Sequence, residues 1–309
     1  MPSIASSTGL PYVATLIAAP GGLSEGRVEA FRQAWSRRGH AAPARWLSPG
    51  EAAEVELAGP SEDWPQAERA ARLHGIDLCL QRAGNRRKRL LVADMDSTMI
   101  RQECIDELAA EAGVGARVAA ITARAMNGEI GFEGALRERV ALLAGLDEGV
   151  IDRVLARRIT FMPGGRALVA TMRAAGAYAL LVSGGFVSFA ERVGRALGFD
   201  EWRANALLVA EGRLTGRVGE PILGRDAKAD ALLAACARLG IGPADALAVG
   251  DGANDLGMLR LAGAGVALHA KPVVAAQCAL QVNHGDLTAL LYLQGYARAE
   301  FAASLTSGA

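Results

Sequence analysis

Short apolar runs that end abruptly in acidic residues, hydroxyls or glycines punctuate the middle and C-terminal parts of the chain. Leu90-Leu91-Val92-Ala93 stops at Asp94-Met95-Asp96-Ser97-Thr98. Residues 178–182 stop at Ser183-Gly184-Gly185, and residues 246–249 stop at Gly250-Asp251-Gly252-Ala253-Asn254-Asp255. Runs of this kind predict buried parallel strands that deliver polar groups to the carboxyl edge of a sheet, where open α/β folds place ligands. Helical spacing predicts a helix over 226–239 carrying Lys228, and several short helices from about 101 to 158, with apolar positions at Ile105, Leu108 and Ala109 and again at Leu136, Val140 and Leu143. Residues 205–218, two short runs around Glu211-Gly212, read as a β-hairpin flap packed beside the sheet.

Ahead of these runs the pattern changes. Strands are predicted at 12–19, 44–47, 54–57 and 76–80, and helices at 24–38 and 64–73. The order strand, helix, strand, strand, helix, strand resembles an ACT-type α+β module, a small fold that binds amino acids or pairs subunits. The division expected is a module over 1–85 and a second unit over 86–309, joined by the basic run Arg86-Arg87-Lys88-Arg89, which reads as a solvated linker. The small, polar tail 301–309 reads as frayed.

Composition narrows the function classes. A chain of 309 residues exceeds the usual single domain, so two or three units are expected. Equal numbers of basic and acidic residues, 33 of each, give no electrostatic case for nucleic acid. Four separated cysteines and four scattered histidines (His40, His74, His269 and His284) argue against a zinc site, a disulfide framework or a nucleophilic triad. With no apolar stretch of about 18 residues and no basic start followed by an apolar core, a cytoplasmic protein without a membrane partner is expected.

The strand ends carry the chemistry. Extended residues at i and i+2 point the same way, so Asp94 and Asp96 can address one substrate, one as nucleophile or metal ligand and the other as acid or base. Ser183-Gly184-Gly185 offers a hydroxyl and closely approaching backbone N–H groups to an anion. The oxygen-rich loop 250–255 suits a hard cation such as Mg2+, and Lys228 supplies a fixed positive charge for a phosphoryl group. Each feature alone has an ordinary reading as a turn, a helix cap or a solvated lysine. Their joint occurrence in this order does not.

With these motifs stand Ile100-Arg101-Gln102-Glu103-Cys104-Ile105-Asp106-Glu107, Leu136-Arg137-Glu138-Arg139-Val140, Val182-Ser183-Gly184-Gly185-Phe186 and Val249-Gly250-Asp251-Gly252-Ala253-Asn254-Asp255. Over roughly 88–290 the chain resembles the haloacid dehalogenase-like phosphotransferases and, within them, the phosphoserine phosphatases. The resemblance implies an α/β fold, with a Rossmannoid parallel-sheet core and a helical cap over about 101–160, inserted after the first core strand. It implies Asp94 as the nucleophile that becomes an aspartyl-phosphate, and Asp96 as the acid that protonates the departing serine oxygen and then activates water. Mg2+ would be held by Asp94, the Asp96 carbonyl and Asp251, with Asp255 near its water shell. Ser183, the Gly184 amide, Lys228 and Asn254 would hold the phosphoryl group. From the cap, Glu103 would meet the substrate ammonium and Arg139 its carboxylate, while Met126 and Phe132 form an apolar lid. The substrate implied is O-phospho-L-serine, with phosphohomoserine or phosphothreonine as alternatives. An amino-acid-responsive regulator with a vestigial site is a rival from another class. The N-terminal module would sense a ligand or pair two copies into a homodimer.

Overall fold

The computed structural model describes residues 9–37, 39–126, 129–224 and 226–302, with the Met126 side chain outside that set. Strands β1 (Tyr12–Ala18), β2 (Arg45–Ser48), β3 (Ala52–Leu57) and β4 (Ile76–Arg82) form an antiparallel sheet in the order β2-β3-β1-β4. Helices Glu25–Ser36 and Trp64–Leu73 cover one face of it. Ser24 caps the first of these helices by accepting the Arg27 N–H. Alternation sorts the side chains: Ala14, Leu16 and Ala18 of β1 and Leu78 of β4 pack with Val28 and Trp35 beneath the helices. Ile17 and Cys79 face the other way, into the core of the second unit. Burial on both faces explains why β1 reads as a nearly continuous apolar run.

The second unit begins with β5 (Leu90–Ala93), β6 (Tyr178–Phe186) and β7 (Glu201–Asn205). It continues through the antiparallel pair β8 (Leu207–Ala210) and β9 (Arg213–Val218), then closes with β10 (Ala246–Gly250), β11 (Ala264–Leu268) and β12 (Leu280–Val282). Six of these strands make a parallel sheet in the order β12-β11-β10-β5-β6-β7. The chain leaves β5 toward β6 on one side and later returns through β10 on the other. The crevice at their carboxyl ends is therefore a topological switch point.

Among the described residues five helices lie between β5 and β6: Cys104–Glu111, Gly115–Met126, Phe132–Ala141 and Val150–Arg157 make up the cap, and Gly165–Ala174 returns the chain to the sheet. Both ends of this cap share one stalk, where the Arg101 N–H donates to the Thr160 carbonyl at 3.0 Å and the Met162 N–H to the Met99 carbonyl at 2.9 Å.

Two expectations need correction. The β8–β9 hairpin joins the cap instead of lying beside the sheet: the Gly145 N–H donates to Leu214, the Leu214 N–H to Leu146 and the Glu148 N–H to Gly212. Gly216, at φ +73°, permits this approach, because a Cβ there would sit 2.8 Å from the Ala144 Cβ. The basic run 86–89 is not a solvated linker either. Arg86 pairs with the buried Glu54 at 2.9 Å, Arg87 stacks on Tyr296 at 3.9 Å, and the Lys88 ammonium donates to the carbonyls of Asn85 and Ala244, both at 2.7 Å. Arg89 alone of the four is exposed. Partners so distant in sequence leave no local signature.

Asp77 fastens the units from the β4 side. Its buried carboxylate accepts the N–H groups of Asn283, His284 and Gly285 at 2.8, 3.0 and 2.9 Å.

Candidate active site

Asp94 is the first residue past β5, and the pairing of β5 with β10 sets it beside the 250–255 loop, with its N–H donating to the Val249 carbonyl at 3.0 Å. Lys228, in the first turn of helix Ala227–Leu239, reaches it from below: Nζ lies 2.7 Å from Asp94 Oδ1 and also bonds Asp255 Oδ1. A buried cation at a helix N-terminus runs against the helix dipole, so these two carboxylates are what hold it there. Burial alone would lower the Lys228 pKa; Asp94 and Asp255 reverse this and raise it.

Asp255 organises the loop. Its Oδ2 accepts the N–H groups of Asp251 at 3.1 Å and Gly252 at 2.8 Å. A Cβ on Gly250 would lie 2.3 Å from the Asp255 Cγ, so the turn closes only with glycine there. Asp251 accepts a hydrogen bond from the Thr98 hydroxyl at 3.1 Å. Carboxylate oxygens of Asp94, Asp251 and Asp255 lie within 4.8 Å of one another. Burial first, then the Asp255 charge, raises Asp94 well above the usual carboxylate range and Asp251 to about 6. Three clustered carboxylates facing one lysine are short of positive charge, and an oxygen-only donor set fits a hard divalent cation.

Asp96 lines the cleft beside Asp94. Burial and then Glu103 push its carboxyl up to about 7, a value suited to an acid–base group working near neutrality. The Cys104 thiol donates to Asp96 Oδ1 at 3.1 Å, and the Ser97 hydroxyl donates to Glu103 Oε1 at 2.7 Å.

At the end of β6 the buried Ser183 Oγ accepts the Gly185 N–H at 2.9 Å. Asn205 splints this bend: its Nδ2 donates to the Gly184 carbonyl at 2.9 Å while its Oδ1 accepts the Leu223 N–H at 2.7 Å. Phe132 of the cap lies directly over Gly184, 3.3 Å from where a Cβ would stand.

These groups enclose a cleft of about 610 Å³. Asp94, Asp96, Ser183, Gly184, Asp251 and Asn254 line its floor, and Glu103, Phe132 and Arg139 line its cap side. Lys228 and Asp255 sit beneath the floor. Met126 ends the second cap helix, and its side chain lies outside the described residues. Arg139, half-buried, has its pKa lowered by burial, opposed by the facing Asp106 and Glu103. Sequence reasoning missed Ser97, Thr98, Cys104 and Asn205. The first three sit within or beside the quoted motifs, where their polar side chains were a usable signal. Asn205 opens what reads as a hairpin and gave none.

The haloacid dehalogenase-like hydrolase family matches residues 91–260. A phosphoserine phosphatase of Albidiferax ferrireducens is 48% identical over 210 residues, covering 66% of this chain and 89% of the relative. One from Streptomyces coelicolor is 45% identical over 234 residues; the match takes in 75% of this chain but only 57% of that longer relative. The unliganded structure of a probable phosphoserine phosphatase from Vibrio cholerae superposes with a TM-score of 0.74 at 31% identity, covering 94% of this chain and 88% of that one. The chain belongs to the haloacid dehalogenase-like hydrolases, in the branch that holds these phosphoserine phosphatases.

Proposed function

We propose that this chain hydrolyses O-phospho-L-serine to L-serine and inorganic phosphate with Mg2+ as cofactor, as the final step of serine synthesis in the cytoplasm. The observation that carries the reading is a single cleft with the Asp94–Asp96 pair on its floor and a carboxylate, Glu103, and a guanidinium, Arg139, on its cap side. A phosphorylated amino-acid zwitterion presents the complementary groups at its two ends.

Asp94 attacks phosphorus, the serine oxygen departs with the bonding pair, and Asp96 gives that oxygen its proton. Asp96 then takes a proton from water as the water oxygen attacks the phosphorus of the Asp94 acyl phosphate, which frees phosphate and restores both carboxyl groups. Lys228 holds the Asp94 carboxylate in place from 2.7 Å and, with Ser183, the Gly184 amide and Asn254, meets the phosphoryl oxygens. When bound, the cation offsets the repulsion between an anionic nucleophile and an anionic phosphate; Asp94, the Asp96 carbonyl and Asp251 would hold it, with Asp255 behind. Phe132, lying over Gly184, excludes water from the cleft. The N-terminal module, read as ACT-like, pairs two copies of the chain.

The test is phosphate release from O-phospho-L-serine, O-phospho-L-threonine, phosphohomoserine and an aryl phosphate, with Mg2+ and then with excess chelator. A Mg2+-dependent preference for phosphoserine is expected. Equal rates on all four would remove the substrate assignment, and inactivity on all of them would remove the enzymatic one.

A further inference from the structure

Cys104 is the first residue of the first cap helix and is fully buried. Its sulfur lies 3.1 Å from Asp96 Oδ1, close for a weak sulfur donor. The second oxygen of Asp96 has a different neighbourhood: a Cβ on Gly185 would stand 3.1 Å from Oδ2, and Gly185 lines the cleft. One oxygen is thus tied to the root of the cap while the other faces the cleft.

We propose that Cys104 is a positioning residue, which fixes the Asp96 carboxyl with Oδ1 turned toward the cap helix and Oδ2 turned toward the leaving group. The inference rests on Asp96 acting as the acid in the proposed reaction. In that step the P–O bond to the leaving group breaks as Asp94 bonds to phosphorus. The bonding pair goes to the departing oxygen, and the Oδ2 proton follows it. Carboxyl rotation about its terminal torsion is broad and roughly two-fold. The Cys104 backbone N–H also donates to the Asp96 carboxyl, so the thiol adds to that bond the contact that biases which oxygen meets the substrate.

The leaving group separates this role from general damage. A serine alkoxide is strongly basic and must be protonated as it departs, whereas p-nitrophenolate departs without help. The value of kcat/KM covers steps up to the first irreversible one, here phosphoryl transfer to Asp94. The experiment compares Cys104→Val, which nearly fills the site without a donor, with Cys104→Ser, which restores one. Cys104→Val should lose about tenfold in kcat/KM on phosphoserine, the order expected for one hydrogen bond, and stay within about twofold of wild type on p-nitrophenyl phosphate. Cys104→Ser should recover most of the phosphoserine loss. Equal losses on both substrates, or no loss on phosphoserine, would overturn the proposal. If Cys104→Val does not fold, Cys104→Ala takes its place in the same comparison. If the wild type hydrolyses p-nitrophenyl phosphate but not phosphoserine, the substrate reading fails by itself. Glycerol phosphate then serves as the alkyl substrate, and the same two results decide the role of Cys104.

Discussion

The Ser97 hydroxyl donates to Glu103 Oε1 across 2.7 Å, from a backbone held at φ +56°. A non-glycine residue in the left-handed region is uncommon and costs conformational energy. Here it turns the chain between the end of β5 and the cap, and it aims a hydroxyl at the carboxylate proposed to meet the substrate ammonium. Ser97→Ala should raise KM for phosphoserine by about five- to tenfold, with little change on an aryl phosphate that lacks an ammonium. Steady-state kinetics on the two substrates checks this, and a shared change would assign Ser97 to the fold of the loop alone.

Asp94→Asn should lower turnover by at least about 10³-fold, measured as phosphate release, because an amide is a poor nucleophile at phosphorus. Near-normal turnover would remove Asp94 from that role.

Lys228→Met should act on stability as well as rate. It removes the only cation bonded to the buried Asp94 and Asp255 among the described residues. Leaving such carboxylates unpaired typically costs about 3 to 5 kcal/mol. Denaturant titration of the metal-free protein should register that loss.

Arg139→Ala should weaken kcat/KM for phosphoserine by about 30-fold or more, the scale for losing one partner of a desolvated charge pair. The aryl phosphate should be nearly unaffected. A matched loss on both would mean that Arg139 shapes the cap without reading the substrate.

The carboxyl groups of the site also predict how metal-free stability depends on pH. Asp96 at about 7 and Asp251 at about 6 both lie above their unfolded value of 3.8, so ionising them opposes folding. That cost is fully present above about 7 and is relieved as pH falls through 7 and then 6. The metal-free protein should therefore melt higher at pH 6 than at pH 8. Saturating Mg2+ should shrink the difference by stabilising the ionised forms. Thermal melts with and without chelator decide it; a metal-free protein that melts lower at pH 6 would contradict the assignment.

Glu54→Ala should loosen the contact between the two units. Glu54 is 5% exposed and bonds both Arg45, at 2.7 Å, and Arg86, at 2.9 Å. Its removal leaves the largely buried Arg86 with the Leu293 and Tyr292 carbonyls but without its bonded carboxylate, at a cost of about 3 kcal/mol, which denaturant unfolding should resolve.

Most elements, and the strand ends that carry the candidate site residues, were legible along the chain, because strand ends in a parallel α/β sheet carry local marks. An apolar run buried on both faces followed by Asp94, by Ser183 or by Asp251 states both the strand and the edge where it stops. The strand-helix order of the N-terminal unit was equally legible, since amphipathic period is a local property. Relationships across long separations come only with the fold. The run 86–89 looks solvated until Glu54, Ala244 and Tyr296 are brought to it. Asn205 looks like the start of a hairpin until it is seen to splint the Gly184 bend. The hairpin's place against the cap depends on pairings between residues more than sixty positions apart. Even Lys228, whose charge was anticipated, owes its two-carboxylate bridge to β5 and β10 lying side by side. Periodicity records which face of an element is buried, but not which distant element buries it.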